Sequence, residues 1–469
     1  MNAPATTDIA ALVDALPADI VVVDPDILAG YARDQSQFTH SEVPAAVLMP
    51  RTTADVVACM AAASKHSIAV IPRGAGSGLS GGANASAHSV VLSLHRMTRI
   101  RELDRVNRLA VVEPGVITSD LRTTASEAGL FYPPDPGSVT FSTIGGNVAT
   151  NAGGMCCVKY GVTGDFVLGL EVVLADGRVL RTGRRTVKGV AGYDLTHLLI
   201  GSEGTLGIIT EITVRLLPAP RDPHTLVAAF PTLEGAGSAV SKIASAGITP
   251  SMLEILDRTT VKAVDEMTKM GIGDTTAALL LIQSDDADAE SVMTVLESIC
   301  TEFGAEDVVV GSDPVEAAML LEARRLALPA LERLGDWLLD DVAVPCSAIT
   351  DLITSVEEIA AEHDLTIGVF GHAGDGNLHP TIIYDAADPA SSAAAVSAFD
   401  AITRRALALG GTITGEHGVG RLKSRWLTVE HDEVSISVQR ALKESLDPAG
   451  ILNPGAVLLS RPQVDTYSD

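Results

Sequence analysis

The stretch Val70–Leu94, VIPRGAGSGLSGGANASAHSVVLSL, joins two apolar runs through a loop that is rich in glycine. Gly76, Gly78 and Gly81 have the G-x-G-x-x-G spacing of nicotinamide-binding folds, where the last glycine opens a helix whose N-terminus meets a pyrophosphate. After Gly81 the chain runs instead into the β-rich segment VVLSL, so the predicted order is strand, loop, strand. We therefore reject the nicotinamide-binding fold here. The glycines form either a tight turn or a row of backbone N–H groups that binds an anion.

Two further runs of small residues occur in the same half of the chain. They are Tyr132–Gly154 (YPPDPGSVTFSTIGGNVATNAGG) and Gly201–Thr210 (GSEGTLGIIT). Small side chains leave space for a flat or extended ligand, and three such segments in one domain are more than turns alone require. The sequence thus predicts a large cofactor in this domain. Arg73, in the first loop, is either a surface cation or a phosphate contact.

The pattern of predicted elements divides the chain. At 469 residues it exceeds what one hydrophobic core usually supports. Strand runs separated by glycine-rich turns extend to about Pro220, and the proline-rich segment PAPRDPH (Pro218–His224) resists both helix and strand. Longer helical periods alternate with strands beyond it. We predict an α+β protein whose second domain has an antiparallel sheet, with boundaries at 1–220, 221–410 and 411–469.

Composition excludes several classes of protein. The chain has 33 Lys and Arg against 59 Asp and Glu, a formal charge of -26, which argues against a nucleic-acid partner or a membrane partner held by charge. The start of the sequence has neither the pattern of a signal peptide nor an apolar run long enough to span a bilayer. Five cysteines without a C-x-x-C pair indicate free thiols in a reducing cytoplasm and no iron–sulfur or zinc-ribbon site.

The segment Val369–Tyr384, VFGHAGDGNLHPTIIY, is predicted to be a hairpin. Its two strands are joined by a loop over Gly371–Pro380, so His372 and His379 converge. Two imidazoles suit a zinc-like or manganese-like ion, but they also suit backbone capping. Glu416 and His417, in TITGEHGVGR, change this balance. Adjacent side chains in an extended segment point opposite ways, so one can bind a metal while the other faces a substrate.

Seven segments together resemble one family. They are PRGAGSGLSGG, YPPDPGSVTFSTIGGNVATNAGG, KYGVTGDFVLGLEVVLADG, AGYDLTHLLIGSEGTLGIITEI, GHAGDGNLHP, GEHGVG and DPAGILNPG. They look like the FAD-linked 2-hydroxy-acid dehydrogenases, which include D-lactate dehydrogenase, D-2-hydroxyglutarate dehydrogenase and the flavin subunit of glycolate oxidase. This group belongs to the p-cresol methylhydroxylase (PCMH)/vanillyl-alcohol oxidase superfamily. The similarity runs in order from roughly residue 40 to residue 458.

The resemblance implies a PCMH-type FAD-binding domain over residues 1–220, a substrate or cap domain over 221–410, and a segment, 411–469, that completes both sites. It implies that FAD is bound by the following residues: Arg73, Gly74, Ala75, Gly76, Ser77, Gly78, Leu79, Ser80, Pro134, Asp135, Ser138, Gly145, Gly146, Asn147, Asn151, Gly161, Glu203, Gly204, Ile208, Ile209 and Asn453. Relatives with covalent flavin often use a histidine in the first loop. Ser77 and Ser80 occupy that loop here, so we predict non-covalent FAD, with Cys156 and Cys157 packing rather than bonding to it.

The resemblance also implies roles in the second half of the chain. His372, His379 and Glu416 would bind a divalent metal, zinc or manganese, and His417 would be the catalytic base. Arg324 would bind the substrate carboxylate together with Asn377, whereas Arg325 fits a solvated helix face. Relatives that take dicarboxylates tend to carry polar or cationic groups where this chain has Leu338 and Leu339. That difference favours a monocarboxylate, although Arg421 and Lys423 remain alternative cations.

The expected activity is FAD-dependent oxidation of a D-2-hydroxy acid, such as D-lactate or glycolate, to the 2-oxo acid. Alternatives are 2-hydroxyglutarate oxidation, a non-redox alkyl-glycerone-phosphate synthase, and the flavin subunit of a multi-subunit glycolate oxidase. Electrons would leave to a quinone, a cytochrome or an electron-transfer flavoprotein. We expect a cytoplasmic protein without nucleic-acid partners; a homodimer and peripheral membrane association stay open.

Overall fold

The computed structural model describes residues 6–269, 271–272, 275–311 and 321–459. The chain forms two compact units. The first unit comprises the residues up to Gly153, Val162–Ala219, and those from His417 onward. The second comprises Gly154–Gly161 and Pro220–Glu416. The first unit is thus assembled from three separate parts of the chain.

The described residues of the first unit form three sheets. Its strands are β1 (Val21–Val22), β2 (Ala46–Leu48), β3 (Ala69–Arg73), β4 (Ser89–Ser93), β5 (Ile100–Asp104), β6 (Leu109–Val112), β7 (Leu130–Phe131), β8 (Val167–Val173), β9 (Val179–Gly183), β10 (Ile208–Arg215) and β11 (Leu217–Pro218). One sheet has the order β1-β2-β4-β3, a second has the antiparallel order β5-β6-β10-β8-β9, and β7 pairs with β11. The strand, loop, strand order around the first glycine loop is confirmed, because β3 and β4 flank it as parallel neighbours.

The α-helices are α1 (Thr6–Asp14), α2 (Pro25–Ala29), α3 (Thr53–Lys65), α4 (Thr118–Glu127), α5 (Ile144–Thr150), α6 (Cys157–Tyr160), α7 (Leu195–Leu199), α8 (Leu233–Ser245), α9 (Arg258–Thr268), α10 (Ala289–Glu302), α11 (Glu322–Arg325), α12 (Ala327–Glu332), α13 (Ile349–Glu362), α14 (Pro389–Ala408), α15 (Leu427–Glu430) and α16 (Glu433–Leu446). Short 3-10 helices occupy Ala18–Ile20, Thr163–Phe166 and Cys346–Ala348. Among the described residues, none of these helices is long and apolar enough to cross a membrane.

Helix α3 shows how local sequence fixes the core of the first unit. It begins with a capping box, in which the Thr52 hydroxyl accepts from the Asp55 amide and the Asp55 carboxylate accepts from the Thr52 amide. Its apolar face packs Val56 and Met60 into the same buried cluster as Leu92 of β4. Leu452, from the C-terminal part of the chain, belongs to that cluster too. The core therefore needs residues from both ends of the sequence.

The second unit is built on one antiparallel sheet. Its strands are β12 (His224–Phe230), β13 (Met252–Asp257), β14 (Ala278–Ser284), β15 (Asp307–Gly311), β16 (Asp336–Leu339), β17 (Val342–Ala343), β18 (Thr366–His372) and β19 (Asn377–Tyr384). The order is β15-β12-β14-β13-β18-β19-β16, and β17 also pairs with β19. The predicted α+β class with an antiparallel second domain is confirmed.

The histidine hairpin differs from its prediction in one respect. The predicted loop over Gly371–Pro380 is wrong in length, because β18 runs on to His372 and β19 already begins at Asn377. His372 and Asn377 close the ladder as opposite residues. The connection is thus tight, and both histidines lie on strands. Gly376 permits this turn with a φ of +84°.

Replacing Gly376 with alanine should destabilise the second unit. A Cβ at Gly376 would meet the Val344 carbonyl oxygen at 1.9 Å, so that backbone must move. Gly410 is a matched control, because its φ is +79° and a Cβ there meets nothing within 4 Å. Gly410→Ala should cost only the left-handed backbone penalty of about 1–2 kcal/mol. We expect scanning calorimetry to show a clearly larger fall in Tm for Gly376→Ala; equal falls would contradict the tight hairpin.

Candidate active site

The three glycine-rich runs of the first unit touch one another. A Cβ on Gly74 of the first run would lie 2.5 Å from the Thr143 hydroxyl of the second. A Cβ on Gly204 of the third run would lie 2.1 Å from Cγ of Pro72, which precedes the first loop. Only glycine lets the backbone approach these side chains so closely. The three runs therefore pack against one another.

The loop Gly74–Gly82 presents backbone donors without protein acceptors. Within the described residues, none of its amide N–H groups donates to another part of the protein. Unpaired N–H groups in consecutive residues, several of them half-buried, form an anion-binding concavity. This loop therefore suits the phosphates of a nucleotide cofactor.

Arg73 is the last residue of β3, and its side chain contacts the loop Gly74–Gly82. Its side chain donates from Nη1 to the Arg33 carbonyl oxygen at 2.9 Å and stacks over the Tyr31 ring. Gly76 packs against the guanidinium, since a Cβ on Gly76 would lie 2.1 Å from Nη2 of Arg73. Burial lowers the pKa of Arg73, while Asp34 opposes that shift. Its observed contacts support the loop from within.

Glu203 and Asn453 connect the glycine runs to the C-terminal segment. The Glu203 carboxylate accepts from the amides of Val419 and Gly420 at 2.8–3.1 Å. Asn453 donates from Nδ2 to the carbonyl oxygens of Gly82 and Glu203, at 2.8 and 2.7 Å. Burial raises the pKa of Glu203 to about 7, and the hydrogen bonds from the backbone amides of Val419 and Gly420 act against that shift. The side chains of Glu203 and Asn453, both predicted to bind the cofactor, thus form these hydrogen bonds with backbone groups of the protein.

The other predicted cofactor residues occupy varied settings. Asn151 caps α5 at a φ of +54° and accepts from the Gly164 amide. Asn147 donates to Thr118, and a Cβ on Gly145 would collide with Pro114. The remaining residues of the first unit that were predicted to bind FAD are Ala75, Ser77, Gly78, Leu79, Ser80, Pro134, Asp135, Ser138, Gly146, Ile208 and Ile209. Gly161 differs from all of these, since it belongs to the second unit.

In the second unit, His372, His379 and Glu416 form a compact donor set. The Nε2 atoms of the two histidines are 3.4 Å apart. Oε1 of Glu416 lies 3.4 Å from Nε2 of His372 and 3.3 Å from Nε2 of His379. Bonds of about 2.0–2.1 Å to a tetrahedral ion place its ligand atoms about 3.3 Å apart. The donor set therefore fits a zinc-like ion in both chemistry and spacing.

Asp341 holds Glu416 against the hairpin. Its Oδ2 atom accepts from the Thr414 hydroxyl at 2.7 Å and from the amides of Gly415 and Glu416, each at 3.0 Å. Its Oδ1 atom accepts from Nδ2 of Asn377 at 2.7 Å. One buried carboxylate thus fixes residues 414–416 relative to β19.

The side-chain amide of Asn377 takes part in the same hydrogen-bond network as Asp341. Besides Asp341, its Nδ2 group donates to the Val342 carbonyl oxygen at 3.1 Å. A Cβ on Gly415 would lie 2.2 Å from that nitrogen, so glycine is required there. Asn377 therefore orders the loop through its amide donors, a role that the sequence analysis did not assign to it.

Glu254, on β13, contacts two of the predicted site residues. Its Oε1 atom lies 2.7 Å from Nδ1 of His372, and its Oε2 atom accepts from Nε of Arg324 at 2.5 Å. Arg324 also lies over the Phe370 ring, 4.9 Å from its centroid. Glu254 is wholly buried, whereas Arg324 keeps 12% of its side chain exposed.

Burial and charge act in opposite directions here. Burial lowers the pKa of His372, but Glu254 and Glu416 more than offset it and hold that pKa well above its usual value. Burial raises the pKa of Glu416, yet hydrogen bonds from His372 and His379 hold it well below the usual range. Both shifts thus arise from the close contacts among these imidazoles and carboxylates.

Sequence reasoning missed both Asp341 and Glu254. Glu254 lies on β13 in the segment SMLEILD, and Asp341 lies between β16 and β17 in LLDDVAV, so both stand among mainly apolar residues. A buried carboxylate needs a partner, so an acid within a mainly apolar stretch is the available signal. His417 directly follows Glu416 and begins the C-terminal part of the first unit. Its carbonyl oxygen accepts from the Ser80 hydroxyl.

Two family descriptions match the chain. Residues 44–183 match the FAD binding domain, and residues 219–457 match the C-terminal domain of FAD linked oxidases. The chain belongs to the FAD-linked oxidases. The unpaired amides of Gly74–Gly82 fit the diphosphate of FAD. The predicted family, the cofactor FAD and the oxidoreductase class are thereby confirmed.

Similar curated proteins carry related names. The chain is 44% identical over 419 residues to the glycolate oxidase subunit GlcD of Bacillus subtilis (strain 168), covering 89% of each chain. It is 35% identical over 449 residues to a D-lactate dehydrogenase of Anaerostipes hadrus, covering 93% of this chain and 94% of the relative.

Solved structures share the fold at lower identity. P-cresol methylhydroxylase with bound substrate aligns with a TM-score of 0.79 at 17% identity, covering 97% of both chains. An alkyldihydroxyacetonephosphate synthase aligns with a TM-score of 0.74 at 20% identity, covering 96% of this chain and 86% of the other. At these identities the likeness concerns the fold alone.

Replacing Asp341 with asparagine should loosen residues 414–416. Asparagine keeps the size but cannot accept on both sides, and hydrogen bonds to a charged group contribute about 1.5–3 kcal/mol. We expect peptide hydrogen exchange over Gly415 and Glu416 to accelerate by about 10–100-fold. Asp351→Asn, on the exposed start of α13, makes the same charge change and should leave that peptide unaltered. Unchanged exchange in Asp341→Asn would contradict the anchoring role.

Proposed function

We propose that this flavoprotein oxidises a D-2-hydroxy acid to the corresponding 2-oxo acid. The donor set of His372, His379 and Glu416 carries this proposal, because its spacing fits a divalent ion that can bind a substrate hydroxyl. The names of two relatives, a glycolate oxidase subunit and a D-lactate dehydrogenase, support it. Glycolate and lactate are both 2-hydroxy acids.

The three donors would hold zinc or manganese. Such an ion lowers the pKa of a bound hydroxyl by several units, as it does for water. FAD, which the first unit would hold without a covalent bond, would supply the hydride acceptor for C2 of the acid. Neither cofactor removes the hydroxyl proton, which therefore requires a base from the protein.

His417 is the proposed base, and Arg324 the proposed carboxylate partner. A neutral imidazole, with an ordinary pKa of about 6.5, can accept a proton from a metal-polarised hydroxyl near neutral pH. A guanidinium matches a carboxylate as a two-pronged donor and fixes its plane. The Phe370 ring and Glu254 hold Arg324 on one side, which fits a preorganised anion site.

The preferred substrate is a monocarboxylate. Leu338 and Leu339, on β16, are 2% and 7% exposed and offer no charge to a second carboxylate. Arg421 belongs to the first unit, where it donates to the Asn84 carbonyl oxygen. D-lactate and glycolate therefore suit the site better than 2-hydroxyglutarate does.

The electrons would pass to an external acceptor such as a quinone, a cytochrome or another flavoprotein. The five cysteines are free thiols and form no cluster-binding motif, so the chain has no iron–sulfur relay of its own. We propose a cytoplasmic location, with a homodimer or peripheral membrane association as further assemblies to test.

The decisive experiment mixes the purified, metal-supplemented protein anaerobically with D- and L-2-hydroxy acids. D-lactate or glycolate should bleach the oxidised-flavin absorption band rapidly, and L-lactate should not. Reduction by 2-hydroxyglutarate alone would overturn the monocarboxylate assignment. A flavin that no hydroxy acid reduces would overturn the function and favour the non-redox synthase reaction.

His417→Gln should keep FAD but lose turnover. Losing a positioned base typically slows a reaction by about 10²–10⁴-fold, and we expect a fall in kcat of that size. The flavin content, read from the absorption spectrum of the purified variant, should match the native protein. Exposed His88 provides the control, since His88→Gln removes an imidazole that the proposal does not use. Near-native turnover in His417→Gln would rule out His417 as the base.

A further inference from the structure

We propose that Glu254 is a positioning residue that joins the metal site to the substrate-carboxylate site. The inference rests on the proposed function, because it assumes that His372 binds a metal and that Arg324 binds the acid. Its structural basis is that one buried carboxylate contacts both residues, through its two different oxygens. No role for Glu254 follows from the sequence motifs, since it lies outside all of them.

The sheet sets the contact with His372. Strands β13 and β18 are antiparallel neighbours, and Glu254 and His372 are opposite residues in their register. Oε1 of Glu254 lies 2.7 Å from Nδ1 of His372. A carboxylate only accepts at that position, so Nδ1 carries a proton, and Nε2 is the nitrogen that faces His379 and Glu416 and would bind the metal. Carboxylate support of this kind orients metal-binding histidines and raises their basicity.

The other oxygen of Glu254 sets the position of Arg324. It accepts from Nε at 2.5 Å, and the Phe370 ring lies 4.9 Å from the guanidinium carbon. A guanidinium held at Nε and against a ring face is fixed in its plane. Its terminal nitrogens are then the donors suited to a substrate carboxylate. Glu254 thus fixes the guanidinium of Arg324 through Nε and leaves the terminal nitrogens to bind the acid.

The two contacts depend on each other through the charge of Glu254. Its side chain is 0% exposed, and an ionised carboxylate in such a place is stable only with compensating partners. His372 and Arg324 supply that compensation. Glutamine has one acceptor oxygen, so Glu254→Gln can satisfy only one of the two donors and turns an N–H group toward the other. The change should therefore weaken both sites at once.

The test is a zinc titration of the FAD-loaded, chelator-treated protein, followed by steady-state kinetics with the acid that reduces the flavin. For Glu254→Gln we expect the Kd for zinc chloride to rise by about 10–100-fold, the usual cost of losing a partner behind a metal-binding histidine. The KM for the acid should rise as well. At saturating zinc and acid, kcat should fall much less than kcat/KM, because Glu254 touches no reacting atom.

Two further variants separate positioning from damage to the fold. Arg324→Gln removes the carboxylate partner but keeps the contact of Glu254 with His372, so it should raise KM and change zinc affinity far less than Glu254→Gln does. Asp257→Asn alters another buried acid of β13, one that accepts from the Thr260 amide and contacts neither His372 nor Arg324. It should leave both zinc affinity and KM unchanged, whatever it does to Tm.

The outcomes distinguish this inference from the function on which it rests. Native zinc affinity and KM in Glu254→Gln would overturn the inference alone. Equal losses in Asp257→Asn and Glu254→Gln would overturn it too, since they would show a general effect of altering β13. Failure of the native protein to bind zinc or manganese would remove the metal assignment and this inference together. If zinc binds but no acid reduces the flavin, the proposed function falls, while the zinc titration still decides the role at His372.

Discussion

The antiparallel register of β13, β18 and β19 is the constraint on which the second unit depends. Glu254 faces His372 across one pair of strands, and His372 faces Asn377 across the next. His379, two residues further along β19, is brought to the same face by strand periodicity. A slip of one residue in either pair would turn these side chains to the opposite face. The hydrogen bonds of the sheet thus determine the geometry of the candidate metal site.

Asp341 extends this constraint to a segment outside the sheet. The loop that carries Glu416 gains its position from three donors to one oxygen of that carboxylate. Several carboxylates and two imidazoles therefore share a small buried volume. Such a cluster is stable when hydrogen bonds and opposite charges compensate the loss of water, and a divalent ion at its centre would add to that compensation.

Much of the fold could be predicted from local patterns. Alternating and continuous apolar runs located the main strands, and the order around the first glycine loop excluded a helix after it. The loop between the histidines was predicted too long, because the pairing energy of neighbouring strands carried the ladder to His372 and Asn377. Local sequence does not report that energy.

The candidate site was only partly predictable for the same reason. His372, His379 and Glu416 stand in glycine-framed motifs, and the structure does bring them together. Glu254 stands in no motif, and its meaning comes from the strand that lies beside it. Asn377 has a motif position, but its partner Asp341 is 36 residues away and was not foreseen. Long-range register, which a single sequence does not encode visibly, separates the two groups.

The discontinuous first unit has a consequence for how the protein is made. Val70 of β3 bonds to Ile451 and Asn453, and Asn453 in turn bonds to Gly82 and Glu203. The ribosome releases the first loop hundreds of residues before it makes the asparagine that joins these loops. Contacts at such sequence separation form late, because the chain between them must first be ordered. The second unit, nearly continuous in sequence, can fold during synthesis, whereas the flavin-binding unit is completed only after Asn453 has emerged.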